Sequence, residues 1–286
     1  MDKFFIIANK VKDNNLEKTK AVTQFLELRG KKCQYYAIDR VFKSETEPAQ
    51  IFSTIPSDTD CVISLGGDGT LIQIAGIVAK KNIPILGVNM GNLGYLCEVE
   101  KDGLFDALEK LMNDDCEITG RMMLQGEPTV GGTKMSHVNA LNDIVLSRHG
   151  RLGTASFRVS VNGSELYTCN SDGMIISTPT GSTGYNLSAG GPIVAPYSNA
   201  IVLTPIAAHK LNIRPVVLSD RDEVVVELLT ETNKNDVFVE AHFDGGKAMP
   251  LNKGDFVKVK RSVLDTKIIK INQASFFETL SKKMSE

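Results

Sequence analysis

The sequence predicts an α/β N-terminal domain followed by an all-β antiparallel C-terminal domain, and three observations carry that prediction. The first third alternates short apolar runs with stretches of helical periodicity. From Glu117 to about Lys270 the apolar period changes to two. Within the first part, Asp60–Thr70 joins an apolar run, a glycine turn and a helix start. Alternating strands and helices imply parallel pairing through right-handed crossovers. A period of two implies strands with one buried face.

The elements follow in order. Phe4–Ala8 reads as a first strand. Leu16–Arg29 places Val22, Phe25 and Leu26 on one helical face, and Gly30 stops it. Gln34–Ile38 is a second strand and Ala49–Ile55 a short helix before Pro56. Val62–Leu65 is a strand, Thr70–Lys81 a helix, and Ile83–Val88 the next strand. Two glycine-bearing loops, Gly66–Thr70 and Asn89–Gly94, then leave the same edge of the Rossmann-like parallel sheet, where ligands bind in such folds. Asp102–Asn113 is a helix bridging to the second region. Ala155–Val161 alternates and ends at Asn162-Gly163, a hairpin signal. Asp222–Leu228, Val237–Phe243 and Phe256–Val259 continue the pattern, which suggests an antiparallel sandwich. Ser275–Met284 is helical again. The domain limits expected are 1–98, 99–265 and a C-terminal segment 266–286.

Composition narrows the function. The 286 residues suit about two domains. A net charge of -2 gives no general attraction to nucleic acid or an acidic membrane, so neither is an expected partner. No apolar run approaches the roughly 20 residues of a membrane helix. Cys33, Cys61, Cys97, Cys116 and Cys169 lie far apart, which argues against a disulfide framework or a zinc site and for a reduced cytoplasmic protein.

Five stretches are candidates for chemistry. In Gly66-Gly67-Asp68-Gly69-Thr70, glycines before a helix expose backbone N–H groups to phosphate. Asp68 would repel phosphate, and makes sense if it handles a hydroxyl or a metal beside it. A tight turn with one acid is the plain alternative. Asn142 and Asp143, side by side at a strand start, suit ribose hydroxyls or an adenine edge, though a polar turn is the commoner reading of such a pair. Asp172–Pro192 runs a strand into a loop of Ser, Thr and Gly, including Thr183, Gly184, Tyr185, Asn186, Leu187 and Ser188. Its hydroxyls and N–H groups suit phosphate, and the Tyr185 ring suits stacking. Lys210 and Arg214 suit phosphate or solvent, and His242 with Asp244, on one strand face, suits a polar pair near a ligand or, more commonly, a surface strand end. A P-loop is missing, and no Gly-x-Gly-x-x-Gly follows the first strand.

Taken in order, Gly66-Gly-Asp-Gly69, Asn142-Asp143, Asp172-Gly173, Thr178-Pro-Thr-Gly-Ser-Thr183 with Tyr185 and Ser188, and His209 with Arg214-Pro215 resemble the NAD kinase family, over nearly the whole chain. The first motif alone also resembles diacylglycerol kinases, sphingosine kinases and 6-phosphofructokinases. The resemblance implies transfer of a phosphoryl group from ATP, with Mg²⁺ or another divalent cation, to the 2′-hydroxyl of the adenosine ribose of NAD. It implies Asp68 as the base facing that hydroxyl. Asn142 and Asp143 would hold adenine and ribose, and Gly69 and the residues Thr183–Ser188 would line the NAD site. Gly66, Gly67 and Thr70 would hold phosphate, and Asp172 would reach NAD from a neighbouring subunit. A homo-oligomer, dimer or tetramer, is implied, with the C-terminal segment returning to the first domain. The chain departs from the family pattern at Asp143, where bacterial relatives usually carry Glu, at Gly184, where Ala is common, and at Gly246 and Asn170. Asp68→Asn is expected to preserve folding and remove most turnover. A lipid or sugar kinase and a non-catalytic NAD(P)-binding sensor are the competing readings.

Overall fold

A computed structural model describes the chain except residues 40, 41, 43–45, 92, 93, 151, 152, 211, 231–236, 247, 272–274 and 286. The chain forms two compact units, Met1–Arg121 with Asp265–Glu286, and Met122–Leu264. The chain crosses from one to the other twice, inside the long strands Glu117–Val130 and Phe256–Lys270.

The first unit is built on parallel pairing. Lys3–Asn9 lies between Lys32–Ile38 and Cys61–Gly66, and Ile85–Asn89 follows beside Cys61–Gly66. Phe4 to Ala8 are all buried, so this strand reads as a continuous apolar run rather than an alternating one. Each fully buried Ile or Phe there contributes about 1.5–3 kcal/mol. Helix Glu17–Glu27 buries Thr19, Val22 and Leu26. Its start is satisfied by Asp13, whose carboxylate accepts the N–H groups of Lys18 and Thr19. Gly30, at φ +74°, ends it in the left-handed conformation that glycine favours. Helix Glu47–Thr54 begins two residues before the expected Ala49, because Pro48 occupies the first turn where its missing N–H costs nothing.

Helix Leu104–Met112 packs Leu104, Ala107, Leu108 and Leu111 into the same core as Phe4, Ile6 and Leu65, which places it in the first unit. Ile269 joins that core, and Ile268 pairs with Ile85 in parallel. The last helix, Phe276–Met284, starts with a capping box between Ser275 and Glu278.

The second unit is antiparallel. One sheet runs Val216–Ser219, Ala200–Ile206, Gly173–Ser177, Asp143–Gly150, Val237–Phe243, Met249–Leu251. A second set pairs Ser164–Ser171, Ala155–Val161, Val224–Leu228 and residues 256–259. Leu146, Ile176, Leu203 and Val239 from the first meet Phe157, Val159, Val226 and Val257 from the second in one core. This is the sandwich predicted from the period of two. Asn162 and Gly163 both take positive φ, 51° and 80°, as a two-residue hairpin turn requires. Among the described residues no helix is long and apolar enough to cross a membrane.

Candidate active site

In the first unit the two glycine-bearing loops do leave neighbouring strands. Gly66 pairs with Asn89, and the Met90 N–H donates to the Gly66 carbonyl at 3.2 Å. Helix Asp68–Ala79 starts directly after Gly67. The turn is packed closely: a Cβ on Gly66 would lie 2.2 Å from Thr70 Oγ1, and one on Gly67 would lie 2.7 Å from Lys12 Nζ. Asn9 Nδ2 donates to Thr70 Oγ1 at 3.1 Å, tying the first strand to the helix start. Gly69 is exposed. The arrangement presents a helix N-terminus with an ammonium group above it, which suits an anion.

Lys12 is the residue that the sequence reading missed. It lies in a charged loop after the first strand, with nothing around it to mark it. Only the fold brings its ammonium over a glycine 55 positions away.

Asp68 sits in the first turn of the helix. Its carboxylate accepts backbone N–H bonds from Tyr95 at 2.6 Å, from Leu96 at 3.2 Å and from Cys97 at 3.0 Å. The acid therefore anchors the segment after the second glycine loop as well as standing at the glycine turn. Burial pushes the Cys97 thiol up, and the Asp68 charge adds to the shift, so this cysteine is an inert thiol.

In the second unit the Asn142 stretch and the Thr178–Ser188 stretch come together. The Asn142 carbonyl accepts from the Thr178 N–H at 2.8 Å and from Ser177 Oγ at 3.2 Å. Thr178 Oγ1 donates to the Leu141 carbonyl at 2.6 Å. A Cβ on Gly181 would lie 2.2 Å from the Asn142 carbonyl oxygen, so the backbones meet only because that residue has no side chain. A Cβ on Gly184 would lie 3.6 Å from Asn142 Nδ2. Asn142 Oδ1 and Thr180 Oγ1 are buried without a hydrogen-bond partner. Buried polar atoms are rarely left unpaired, and two beside one loop suit a polar ligand or an ordered water.

The remaining loop residues divide into two groups. Asn186 is fully buried, and its side chain bonds to the carbonyls of Ser182 and Pro192 and to Thr204 Oγ1, which braces the loop from inside. Tyr185, Leu187 and Ser188 are exposed, while Thr183 and Gly184 are half-buried. The exposed Tyr185 ring is free to stack on a base.

Asp143 is buried, and its carboxyl is pushed up to about 7 by that burial and by the neighbouring Asp244. Asp244 is also raised, to about 6, again by burial, but it accepts the N–H groups of Leu141, Asn142 and Asp143 at 2.6 to 3.1 Å. These bonds favour negative charge on Asp244, so Asp143 holds the proton of the pair. Asp244 is engaged with these N–H groups rather than with His242. The strand ends at Phe243, and Asp244 turns away at φ 51° to clamp the Asn142 backbone.

Asp172 is bound within its own chain: Arg148 Nε meets Asp172 Oδ1 at 2.7 Å. Lys210 Nζ reaches the Thr168 carbonyl and Arg214 Nη1 the Ile213 carbonyl, both exposed, as loop residues facing solvent do.

The ATP-NAD kinase N-terminal domain family matches residues 4–116, and the ATP-NAD kinase C-terminal domain family matches residues 141–271. An NAD kinase of Agathobacter rectalis is 43% identical over 286 residues, covering 99% of each chain. One of Lachnospira eligens is 38% identical over 293 residues, covering 99% of this chain and all of its own. Among solved structures, yeast NADH kinase complexed with NADH aligns with a TM-score of 0.83 at 22% identity, over 99% of this chain and 88% of its own. An NAD kinase from Archaeoglobus fulgidus in complex with ATP gives 0.76 at 23%, over 99% and 98%. The structural likeness at such identity speaks for the fold, and the sequence matches speak for descent. The chain belongs to the ATP-NAD kinase family.

Proposed function

We propose that the chain carries out the family reaction, phosphorylation of the 2′-hydroxyl of the adenosine ribose of NAD by ATP to give NADP, with the following division of roles. The turn Gly66, Gly67 and Thr70, with Lys12 above it, takes donor phosphate. Asp68 orients the acceptor hydroxyl and takes its proton. Asn142 and Asp143 hold adenine and ribose, with Gly69, Thr183, Gly184, Tyr185, Asn186, Leu187 and Ser188 completing the NAD site. Asn186 acts there by bracing the loop. The observation that carries the reading is the single carboxylate of Asp68 at a helix N-terminus that carries a lysine ammonium. Phosphoryl transfer asks a protein for alignment and charge neutralisation more than for covalent chemistry.

Asn142 Oδ1 and Thr180 Oγ1, buried and unpaired, fit the polar edge of a nucleotide. The Archaeoglobus fulgidus relative solved in complex with ATP supports ATP as the donor. Asp68, in the first turn of the helix after Gly67, would be the carboxylate available to a magnesium ion carried on donor phosphates, and that ion would neutralise the triphosphate. A homo-oligomer, in which Asp172 of one subunit approaches the NAD of its neighbour, and a cytoplasmic location follow from the family resemblance.

The test is NAD with ATP and Mg²⁺, NADP being measured, for the native chain and for Asp68→Asn. NADP formation that collapses in the variant supports the assignment. Phosphate appearing on diacylglycerol or a hexose instead would support a lipid or sugar kinase. Tight NAD binding without product would support a sensor.

A further inference from the structure

Three side chains of the second unit converge at a place that the reaction does not use. Asp143–Gly150 and Val237–Phe243 are neighbouring antiparallel strands, with His149 opposite Phe238, Ser147 opposite Glu240 and Val145 opposite His242. Side chains alternate along a strand, so His149, Glu240 and His242 share one face. The other face carries Leu146, Val239 and Ala241 into the core, which holds both strands in place.

His149 Nε2 lies 3.2 Å from Glu240 Oε2, and His242 Nε2 lies 3.5 Å from the same oxygen. One ligand atom from each residue falls within a cluster of 4.8 Å. Zinc bonds of about 2.0–2.1 Å to nitrogen and oxygen, in a tetrahedron, separate adjacent ligand atoms by about 3.3 Å. The two separations from Glu240, 3.2 and 3.5 Å, bracket that edge. The ring orientation points the same way. His242 Nδ1 lies 3.4 Å from the Gly246 carbonyl, which only accepts, while Nε2 on the far side of the ring faces the Glu240 carboxylate oxygen. A carbonyl holding the far nitrogen of a ligating histidine is the usual outer support of a metal site. His149 is oriented by stacking on Phe238, with ring centroids 5.6 Å apart and planes 18° apart.

We infer that His149, Glu240 and His242 form a binding site for a divalent transition cation of zinc type. Two imidazoles and one carboxylate suit zinc better than magnesium or calcium, which take oxygen ligands. Three protein ligands leave a fourth position open, and His149, 43% exposed in its side chain, sets the site at the surface. The ion clips together the two strands that carry Asp143 and lead into Asp244.

The test uses the full chain, stripped with a chelator and free of nucleotide. Zn²⁺ is titrated by calorimetry, and Co²⁺ is added as a spectroscopic probe. The expected result is one saturable zinc per chain and a visible absorption band with cobalt. His149→Asn, Glu240→Gln and His242→Asn are each expected to weaken zinc at least about tenfold and abolish the band. The substitution at exposed His149 leaves the core untouched, so a folding defect cannot stand in for lost binding there; circular dichroism checks this. The absence of saturable one-to-one binding by the native chain, or zinc affinity unchanged in the His149 variant, overturns the inference.

Discussion

Gly94 leaves the space that the Asp68 carboxylate fills: a Cβ there would lie 2.0 Å from Asp68 Oδ1 and 2.3 Å from Oδ2. The backbone of residue 94 cannot retreat cheaply, because the N–H groups of Tyr95, Leu96 and Cys97 hold the same carboxylate. Gly94→Ala should therefore move Asp68 without removing it. A displacement of about 1 Å at a reacting group costs roughly a hundredfold in rate. NADP formation should fall by that order while circular dichroism stays native. A variant with native turnover would show that Asp68 does not need its present position.

The three N–H bonds also change what Asp68→Asn does. An amide offers one acceptor oxygen and turns a donor towards N–H groups. The expectation of intact folding from sequence then gives way to a stability loss of about 1–3 kcal/mol, read from urea unfolding. Turnover, measured where the variant is still folded, should fall by about 10²–10⁴-fold. An unaltered rate would remove Asp68 from the mechanism, and unaltered stability would remove its anchoring role.

Lys12→Met tests the ammonium over Gly67. A charged group bonded to phosphate contributes about 1.5–3 kcal/mol. The variant should lose roughly tenfold to a hundredfold in kcat/KM for ATP, with little change in NAD affinity. A defect confined to NAD would place Lys12 elsewhere in the reaction.

Asp143 gives a pH dependence whose sign is fixed. Its carboxyl rises from 3.8 to about 7 on folding, because burial and Asp244 disfavour its charge. The stability that its neutral form contributes is fully present below about 3.8 and is lost as pH climbs towards about 7. Asp143→Asn should thus flatten the urea midpoint over this range and raise it at pH 8 relative to the native chain. Asp143→Ala should weaken NAD in a titration. A native-like pH slope in the Asn variant would locate the titration in another group.

The fold was legible wherever a pattern was local. Phe4–Ala8, Ala155–Val161 and the Asn162-Gly163 turn each announce themselves within a few residues. The strand read at Phe256–Val259 continues to Lys270, because Arg261 and Ser262 break the alternation in sequence without breaking the ladder. At the site, the glycines and the two Asn-acid neighbours were visible as types. Their partners were not. Asp68 is held by backbone N–H groups, which carry no side-chain signature, and His149 meets His242 through a strand register that no short stretch encodes.

The first unit is interrupted by the whole of the second, and Ile268 and Ile269 complete its sheet and core. On the ribosome, the amino-terminal part must therefore wait, with the Ile85 end of the Ile85–Asn89 edge unpaired, until the final segment is synthesised. The inserted sandwich is translated in full before then. Loss of residues 265–286 would harm the part of the enzyme made first.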